Sequence, residues 1–133
     1  MAKRGSSFGF MGRFGRSADL RSLDAAMRAA DLHPALVPEG VKLALVNLVK
    51  ERFQDEPPES AYAGAAVLFA YCALGPEGFE QANGPDALAA ISARLDTALL
   101  GDGLDPDIVL LAHHARMLQP AVVARHGIDI ESA

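Results

Sequence analysis

Two adjacent histidines, His113 and His114, are the side chains whose type and spacing first suggest chemistry in this sequence. Imidazole nitrogens bind transition metals and exchange protons near neutral pH, so a histidine pair is a candidate metal or ligand site. Neighbouring positions on a helix point about 100° apart, however, and neither histidine has a second histidine or a carboxylate three or four positions away. We therefore predict no metal site and no cofactor, and expect surface or helix-packing histidines, with a ligand contact at His113 and His114 as the alternative.

Three aspartates follow one another closely in a glycine-containing segment that superficially resembles a cation-binding loop. Asp102, Asp105 and Asp107 lie beside Gly101 and Gly103. An EF-hand loop needs a glutamate at its twelfth position, whereas the twelfth position counted from Asp102 is a histidine. We predict instead that Asp105 caps the following helix and that Asp107 stabilises its first turn through the helix dipole.

The nucleophilic side chains lack the partners that nucleophilic catalysis requires. Cys72 and Ser92 lie within predicted helices, without a recognisable histidine partner or a glycine-framed turn. Gly9, Gly12 and Gly15 recur every third residue, but no Gly-Lys-Ser/Thr sequence ends that segment, so it is not a phosphate-binding loop. We therefore assign no catalytic residue, and an enzyme is the less favoured interpretation.

Charge is distributed unevenly along the chain, whose formal net charge is −5. Four basic and no acidic residues give residues 1–16 a charge of +4, whereas the other 8 basic and 17 acidic residues give residues 17–133 a charge of −9. This asymmetry predicts a flexible basic arm, residues 1–16, followed by one acidic helical domain, residues 17–133.

Aromatic side chains accompany the basic ones in this arm. The candidate partner-binding residues are Phe8, Phe10, Arg13, Phe14 and Arg16, because a segment that is both basic and apolar can dock on a protein partner or on a second copy of the chain. The same segment could bind single-stranded nucleic acid through phosphate contacts and base stacking, or lie on an anionic membrane surface. The acidic domain repels phosphate and disfavours both alternatives. A tail without function is the remaining interpretation.

Composition places the chain among helical proteins of a single domain. Half of its 133 residues are apolar, 22% are charged and none is tryptophan, so Ala, Leu, Val and Ile must build the core. This composition favours an all-α fold, here a single compact bundle of five to six helices. The single cysteine, Cys72, excludes an internal disulfide. Residues 8–14 lack the apolar run of a secretory signal, so we expect a cytoplasmic protein.

Proline and glycine divide the domain into helices within which apolar residues recur at helical spacing. Gly75 and Pro76 are expected to stop the third helix, leaving about one helical turn between residues 77 and 83. Pro120 either kinks the fifth helix or starts a sixth, which ends at Gly127. The first four predicted helices cover about residues 18–31, 38–53, 60–74 and 85–101, and the fifth begins at about residue 105.

The third predicted helix decides the architecture. Residues 61–74 contain no charged side chain and are apolar on all sides, which is typical of a helix that is buried or crosses a membrane. At about 1.5 Å per residue this stretch spans only about 21 Å, less than the roughly 30 Å of a bilayer core. We therefore predict a central helix, about 60–74, surrounded by the others, and no transmembrane segment.

Three hypotheses about function follow from these observations. The first is a non-catalytic helical protein–protein interaction module (an adaptor, a regulator or a small assembly subunit) that uses the basic aromatic arm. The second is a nucleic-acid-associated regulator that binds through the arm alone, because no predicted helix has the basic face of a recognition helix. The third is a small-ligand binder or enzyme with a pocket between helices near His113 and His114.

Overall fold

The part of the chain that the structure, a computed structural model, describes comprises residues 18–54 and 56–129, and its regular secondary structure is entirely helical. The prediction of an all-α bundle of five to six helices is confirmed. In chain order the helices are α1 (Ala18–Ala29), a 3-10 turn (Pro34–Leu36), α2 (Glu39–Arg52), α3 (Glu59–Asn83), α4 (Pro85–Ala98), α5 (Leu104–His114) and α6 (Pro120–His126).

Helix α3 lies at the centre of the bundle and packs against each of the other five α-helices. Most of its uncharged run is buried, as expected for a helix surrounded by neighbours, and Ala63 is the exposed residue of that run. The wholly buried side chains of this run include Leu68, Phe69, Tyr71 and Cys72. The predicted central helix is therefore confirmed, and no helix within residues 18–54 and 56–129 is long and apolar enough to cross a membrane.

Helix α3 is interrupted at Gly75, where the sequence predicts a stop, but residues 77–83, expected to form a connection of about one turn, belong to a second helical segment beyond the kink. Gly75 adopts φ 82° and ψ 168°, a conformation that L side chains rarely adopt, and the helix resumes at Pro76 and continues to Asn83. Proline at a first helical position loses no hydrogen bond, so the same dipeptide that ends one helix also starts the next. The segment after the kink is held by the wholly buried Phe79 and by Asn83, whose side-chain amide donates to the Ala30 carbonyl at 3.1 Å.

Helices α1 and α2 pack together on one side of α3. The predicted apolar stripe of α1 is buried, with Leu23 and Met27 fully inaccessible. Between the two helices lies Lys42, a charged residue that is 6% exposed. Its ammonium group is 3.2 Å from the Asp24 carboxylate of α1 and 3.6 Å from the Glu39 carboxylate one turn earlier. An ion pair therefore replaces apolar packing at the point where α1 and α2 meet.

Pro120 starts a separate helix rather than kinking α5. Helix α5 ends at His114, Arg116 has a left-handed φ of 62°, and α6 begins at Pro120. The connection is fixed to α3 because the Gln119 backbone N–H donates to the Cys72 carbonyl at 2.9 Å. Helix α6 ends at Gly127, whose φ of 60° provides the left-handed cap that the sequence predicts.

Candidate functional site

The five candidate partner-binding residues, Phe8, Phe10, Arg13, Phe14 and Arg16, lie outside the described residues. The predicted boundary between arm and domain, at residues 16 and 17, also lies outside them. The role of these residues in binding therefore stays a prediction.

The two histidines lie together in the last turn of α5 but contribute to different surface depressions. Their ring centroids are 5.3 Å apart, and the ring planes are tilted by 47°. His114 lines a groove between α2 and α5, whereas His113 lines a small hollow on the other side of Leu110. Across residues 18–54 and 56–129, no three His, Cys, Asp or Glu side chains are grouped so that they could hold a metal ion.

The α2–α5 groove is an open depression of about 450 Å³. Its lining is apolar along the floor and acidic at one end, where Glu51 and Asp107 lie. Arg52 of α2 is 3.9 Å from the Asp107 carboxylate, so the carboxyl end of α2 meets the amino end of α5 and the two helices run antiparallel. The groove is lined by Ala44, Asn47, Leu48 and Glu51 of α2 and by Asp107, Leu110, Leu111 and His114 of α5.

A second depression, the Leu110 hollow, shares Leu110 with the groove. It measures only about 110 Å³ and is lined mainly by apolar side chains, including Leu99, Val109 and Ile128. The turn after α4 adds Leu100, which is 89% exposed. Leu99 and Leu110 line this hollow together, and Leu100 follows Leu99 in the chain.

A third depression, of about 480 Å³, lies at the turn between α4 and α5 and is lined by Asp102 and Asp105, two of the three aspartates that resemble a cation loop. Asp105 does not cap α5, as the sequence suggested, because Gly103 occupies the cap position without a side-chain hydrogen bond. Its two carboxylate oxygens instead accept from the Nε and Nη2 atoms of Arg94, both at 2.8 Å. The third guanidinium nitrogen, Nη1, donates to the Gly64 carbonyl at 2.9 Å. Arg94 therefore ties α4, α5 and α3 together, which is a structural role.

A buried polar network connects α3, α4 and α6. The Tyr71 hydroxyl is 2.7 Å from His126 Nε2, and His126 Nδ1 is 2.7 Å from an Asp96 carboxylate oxygen. A carboxylate only accepts, so the His126 Nδ1–H donates to Asp96, and in the neutral ring Nε2 accepts from the Tyr71 hydroxyl. The side chain of His126 is 1% exposed and that of Asp96 is 65% exposed. We call these three residues the Tyr71–His126–Asp96 clamp.

The clamp has the order of groups found in a proton relay. Its Tyr71 end, however, is not accessible to solvent or to a substrate. Tyr71 is fully inaccessible, and burial is the main cause of a raised Tyr71 pKa, so the hydroxyl keeps its proton. Ser92 and Arg125 surround the same point, with Arg125 Nε donating to Ser92 Oγ at 3.2 Å. The sequence gives no sign of the clamp because 55 residues separate Tyr71 from His126.

Cys72 lies beside Tyr71 on the central helix and is fully buried as a free thiol. Burial raises its pKa to about 12, so the thiol is protonated near neutral pH. A protonated and inaccessible thiol is a poor nucleophile. Cys72 therefore serves as a core packing residue, as its position in an uncharged stretch of the sequence indicates.

Comparisons with protein-family models, with curated proteins and with solved structures found no match to this chain.

Proposed function

We propose that this protein is a non-catalytic helical interaction module whose binding surface is the α2–α5 groove together with the Leu110 hollow. The observation that carries the proposal is a pair of partly exposed leucines, Leu99 and Leu110, that line the hollow together, with the exposed Leu100 next to Leu99 in the chain. Leu99 is 36% exposed, Leu110 41% and Leu100 89%. Adjacent exposed apolar side chains mark sites of protein association more often than isolated ones do.

The shape of the surface supports a peptide as the ligand rather than a small molecule. Small-molecule pockets enclose most of their ligand and measure roughly 300 to 1,000 Å³. The hollow beside His113 is only about 110 Å³, and the larger groove beside His114 is open along its length. An antiparallel helix pair with an apolar floor is a common seat for a peptide segment that inserts apolar side chains.

The charges at the groove determine the chemistry of the partner. Glu51 and Asp107 lie at one end, next to the apolar floor formed by Ala44, Leu48 and Leu111. Arg52 neutralises Asp107 only weakly, because the pair is 3.9 Å apart and both side chains are about half exposed. The complementary ligand is therefore a segment that combines Lys or Arg with aromatic or aliphatic side chains.

A peptide selection on the purified full-length chain tests this proposal. Random dodecapeptides are displayed on phage, and those that bind the protein are synthesised and measured by fluorescence polarisation. We expect selected peptides to contain both basic and large apolar residues. Leu110→Lys removes apolar contact and adds a like charge, so it should weaken their binding about tenfold or more, which corresponds to about 1.4 kcal/mol.

The matched control introduces the same residue elsewhere. Leu36 is 66% exposed on the 3-10 turn and lines neither the groove nor the hollow, so Leu36→Lys should leave the affinity unchanged. Circular dichroism checks that both variants retain the helical fold. Peptides that bind the two variants equally well, or a selection that enriches no peptide, would refute the proposed site.

A further inference from the structure

The first turn of α1 is fixed to the carboxyl end of α2. The Asp19 carboxylate is 3.6 Å from the Lys50 ammonium of α2, and it also accepts a hydrogen bond from the Tyr62 hydroxyl at 2.9 Å. The chain that precedes Ala18 is therefore attached at this end of α2. Residues 1–17 therefore connect to the helical body at this end of α2.

The same end of α2 carries the acidic end of the α2–α5 groove. Glu51 follows Lys50 directly, and Asp107 faces Arg52 from α5. From Glu51 to Ala44 the groove follows about two turns of α2, or about 10 Å at 1.5 Å per residue. Its far end is marked by His114.

The segment attached there has the chemistry that the groove should bind. Arg16, Phe14 and Arg13 come two, four and five residues before Ala18, and Phe10 and Phe8 follow towards the amino terminus. An extended residue spans at most about 3.6 Å, so residues 8–17 can cover about 36 Å, several times the length of the groove. Both arginines are within five residues of Ala18 along the chain and can therefore reach the acidic end, and Phe8 and Phe10 are far enough from Ala18 to reach the apolar floor beyond it.

We propose that residues 8–16 bind in the α2–α5 groove of their own chain, with Arg13 and Arg16 at Glu51 and Asp107 and the phenylalanines over Leu110. This proposal rests on the proposed function, because it names the occupant of the same groove. Attachment at the end of α2 that also carries the acidic end of the groove gives the segment an effective concentration in the millimolar range, which favours binding within one chain over binding between copies. An external partner then has to displace the arm, so the arm is an autoinhibitory ligand.

Paramagnetic relaxation in solution measures where the arm lies. Ser7→Cys is introduced into the full-length protein and coupled to a nitroxide label, which spares Cys72 because that thiol is buried and protonated. We expect the amide signals of Leu110 and His114 to be broadened most. The amides of Ala90 on α4 and Ala124 on α6, which line neither the groove nor the hollow, serve as the reference.

Charge reversal within the arm provides a matched pair of variants. Arg13→Glu/Arg16→Glu should abolish the selective broadening, because it places acidic groups at the acidic end of the groove. Lys3→Glu/Arg4→Glu changes the same number of charges outside residues 8–16 and should preserve it. Equal loss in both variants, or broadening that does not favour the groove in the labelled protein, would overturn the proposal.

A mixed sample separates binding within a chain from binding between chains. Nitroxide-labelled protein without isotope is added to isotope-labelled protein without nitroxide. Binding within one chain predicts no broadening in the mixture, whereas selective broadening of Leu110 there would show that the arm binds a second copy and would contradict the proposal.

Peptide affinity distinguishes failure of the arm proposal from failure of the groove. The dodecapeptides selected on the groove are titrated into wild type and into the full-length variant Phe8→Ser/Phe10→Ser/Phe14→Ser. If the arm occupies the groove about nine-tenths of the time, the variant should bind about tenfold more tightly. Equal affinities that remain sensitive to Leu110→Lys would overturn the arm proposal alone. Absence of binding to every variant would overturn the groove and the arm together.

Discussion

The Tyr71–His126–Asp96 clamp allows a quantitative test, because one atom can be removed from its buried end. Tyr71→Phe deletes the hydroxyl and leaves the ring, which packs edge-on against Phe79 with centroids 5.6 Å apart. The lost hydrogen bond contributes about 1 kcal/mol to the free energy of unfolding. His126 is also left with an unsatisfied Nε2 in a side chain that is 1% exposed, which adds a comparable penalty.

We therefore expect Tyr71→Phe to lower the free energy of unfolding by about 1.5 to 2.5 kcal/mol. His126→Leu should remove both hydrogen bonds of the imidazole and lower it further. In the His126→Leu background the additional Tyr71→Phe change should be close to neutral, because the imidazole that accepts from the hydroxyl is already gone. The double-mutant cycle should thus give a coupling energy of about 1 to 2 kcal/mol.

Urea unfolding, followed by circular dichroism at 222 nm, measures these values by linear extrapolation. For a single domain of this size the loss in Tyr71→Phe corresponds to a fall of about 5 to 9 °C in the melting temperature. Tyr62→Phe is the matched control, since its hydroxyl donates to Asp19, whose side chain is 34% exposed and can bind water instead. We expect a loss below about 1 kcal/mol there. A Tyr71→Phe protein as stable as wild type, or an undiminished effect in the His126→Leu background, would show that the clamp does not stabilise the fold.

Three further predictions concern stability, each measured by urea unfolding. Gly75→Ala should lower the free energy of unfolding by about 1 to 3 kcal/mol, because φ 82° with ψ 168° is a glycine conformation; an unchanged value would contradict the kink. Burial raises the Cys72 pKa from 9.0 to about 12. As the pH rises above 9, the thiol of the unfolded chain loses its proton before that of the folded chain does. The free energy of unfolding should therefore fall by up to about 1.4 kcal/mol per pH unit above pH 9. Cys72→Ala should make that part of the pH profile flatter, and an identical slope would contradict the burial of the thiol. Asp24→Ala should lower the free energy of unfolding by about 2 kcal/mol, because it leaves the charge of Lys42, whose side chain is 7% exposed, without its nearer carboxylate. Glu39→Ala removes the more distant and half-exposed partner and should change it by under about 0.5 kcal/mol. Equal effects of the two changes would refute this ranking.

Helix positions were predictable because their signals are local. Proline and glycine mark most helix ends, and a run of 14 uncharged residues indicates burial without any knowledge of what surrounds it. The start of α6 at Pro120 and its end at Gly127 follow the same rules. The break at Gly75 follows from the Gly-Pro signal, but the helical segment from Pro76 to Asn83 was not predictable. Phe79 and Asn83 hold that segment in place by burial and by a hydrogen bond to a distant part of the chain.

The polar contacts were not predictable for a different reason. The spacing of charged residues indicates which of them share a helix face, but it does not say which partner the next helix presents. Asp105 was expected to cap a helix because aspartate favours caps, yet it binds Arg94, which approaches from α4. Lys42 gave no sign that it would be buried, since its pairing with Asp24 depends on how α1 packs on α2. Such pairs follow from tertiary packing, which one sequence does not reveal.

The distribution of polar and apolar groups supports association more than chemistry as the function. Arg94, Lys42 and His126 direct their polar atoms at internal partners, so the conspicuous polar side chains of the body are already occupied in holding helices together. Leucines, in contrast, remain accessible at Leu100 and Leu110, although fully burying such a side chain is worth roughly 1.5 to 3 kcal/mol. Folding leaves part of that free energy unused at each of these leucines. A ligand that covers Leu110 recovers part of it on binding, and the basic, aromatic residues 8–16 are the ligand that we propose.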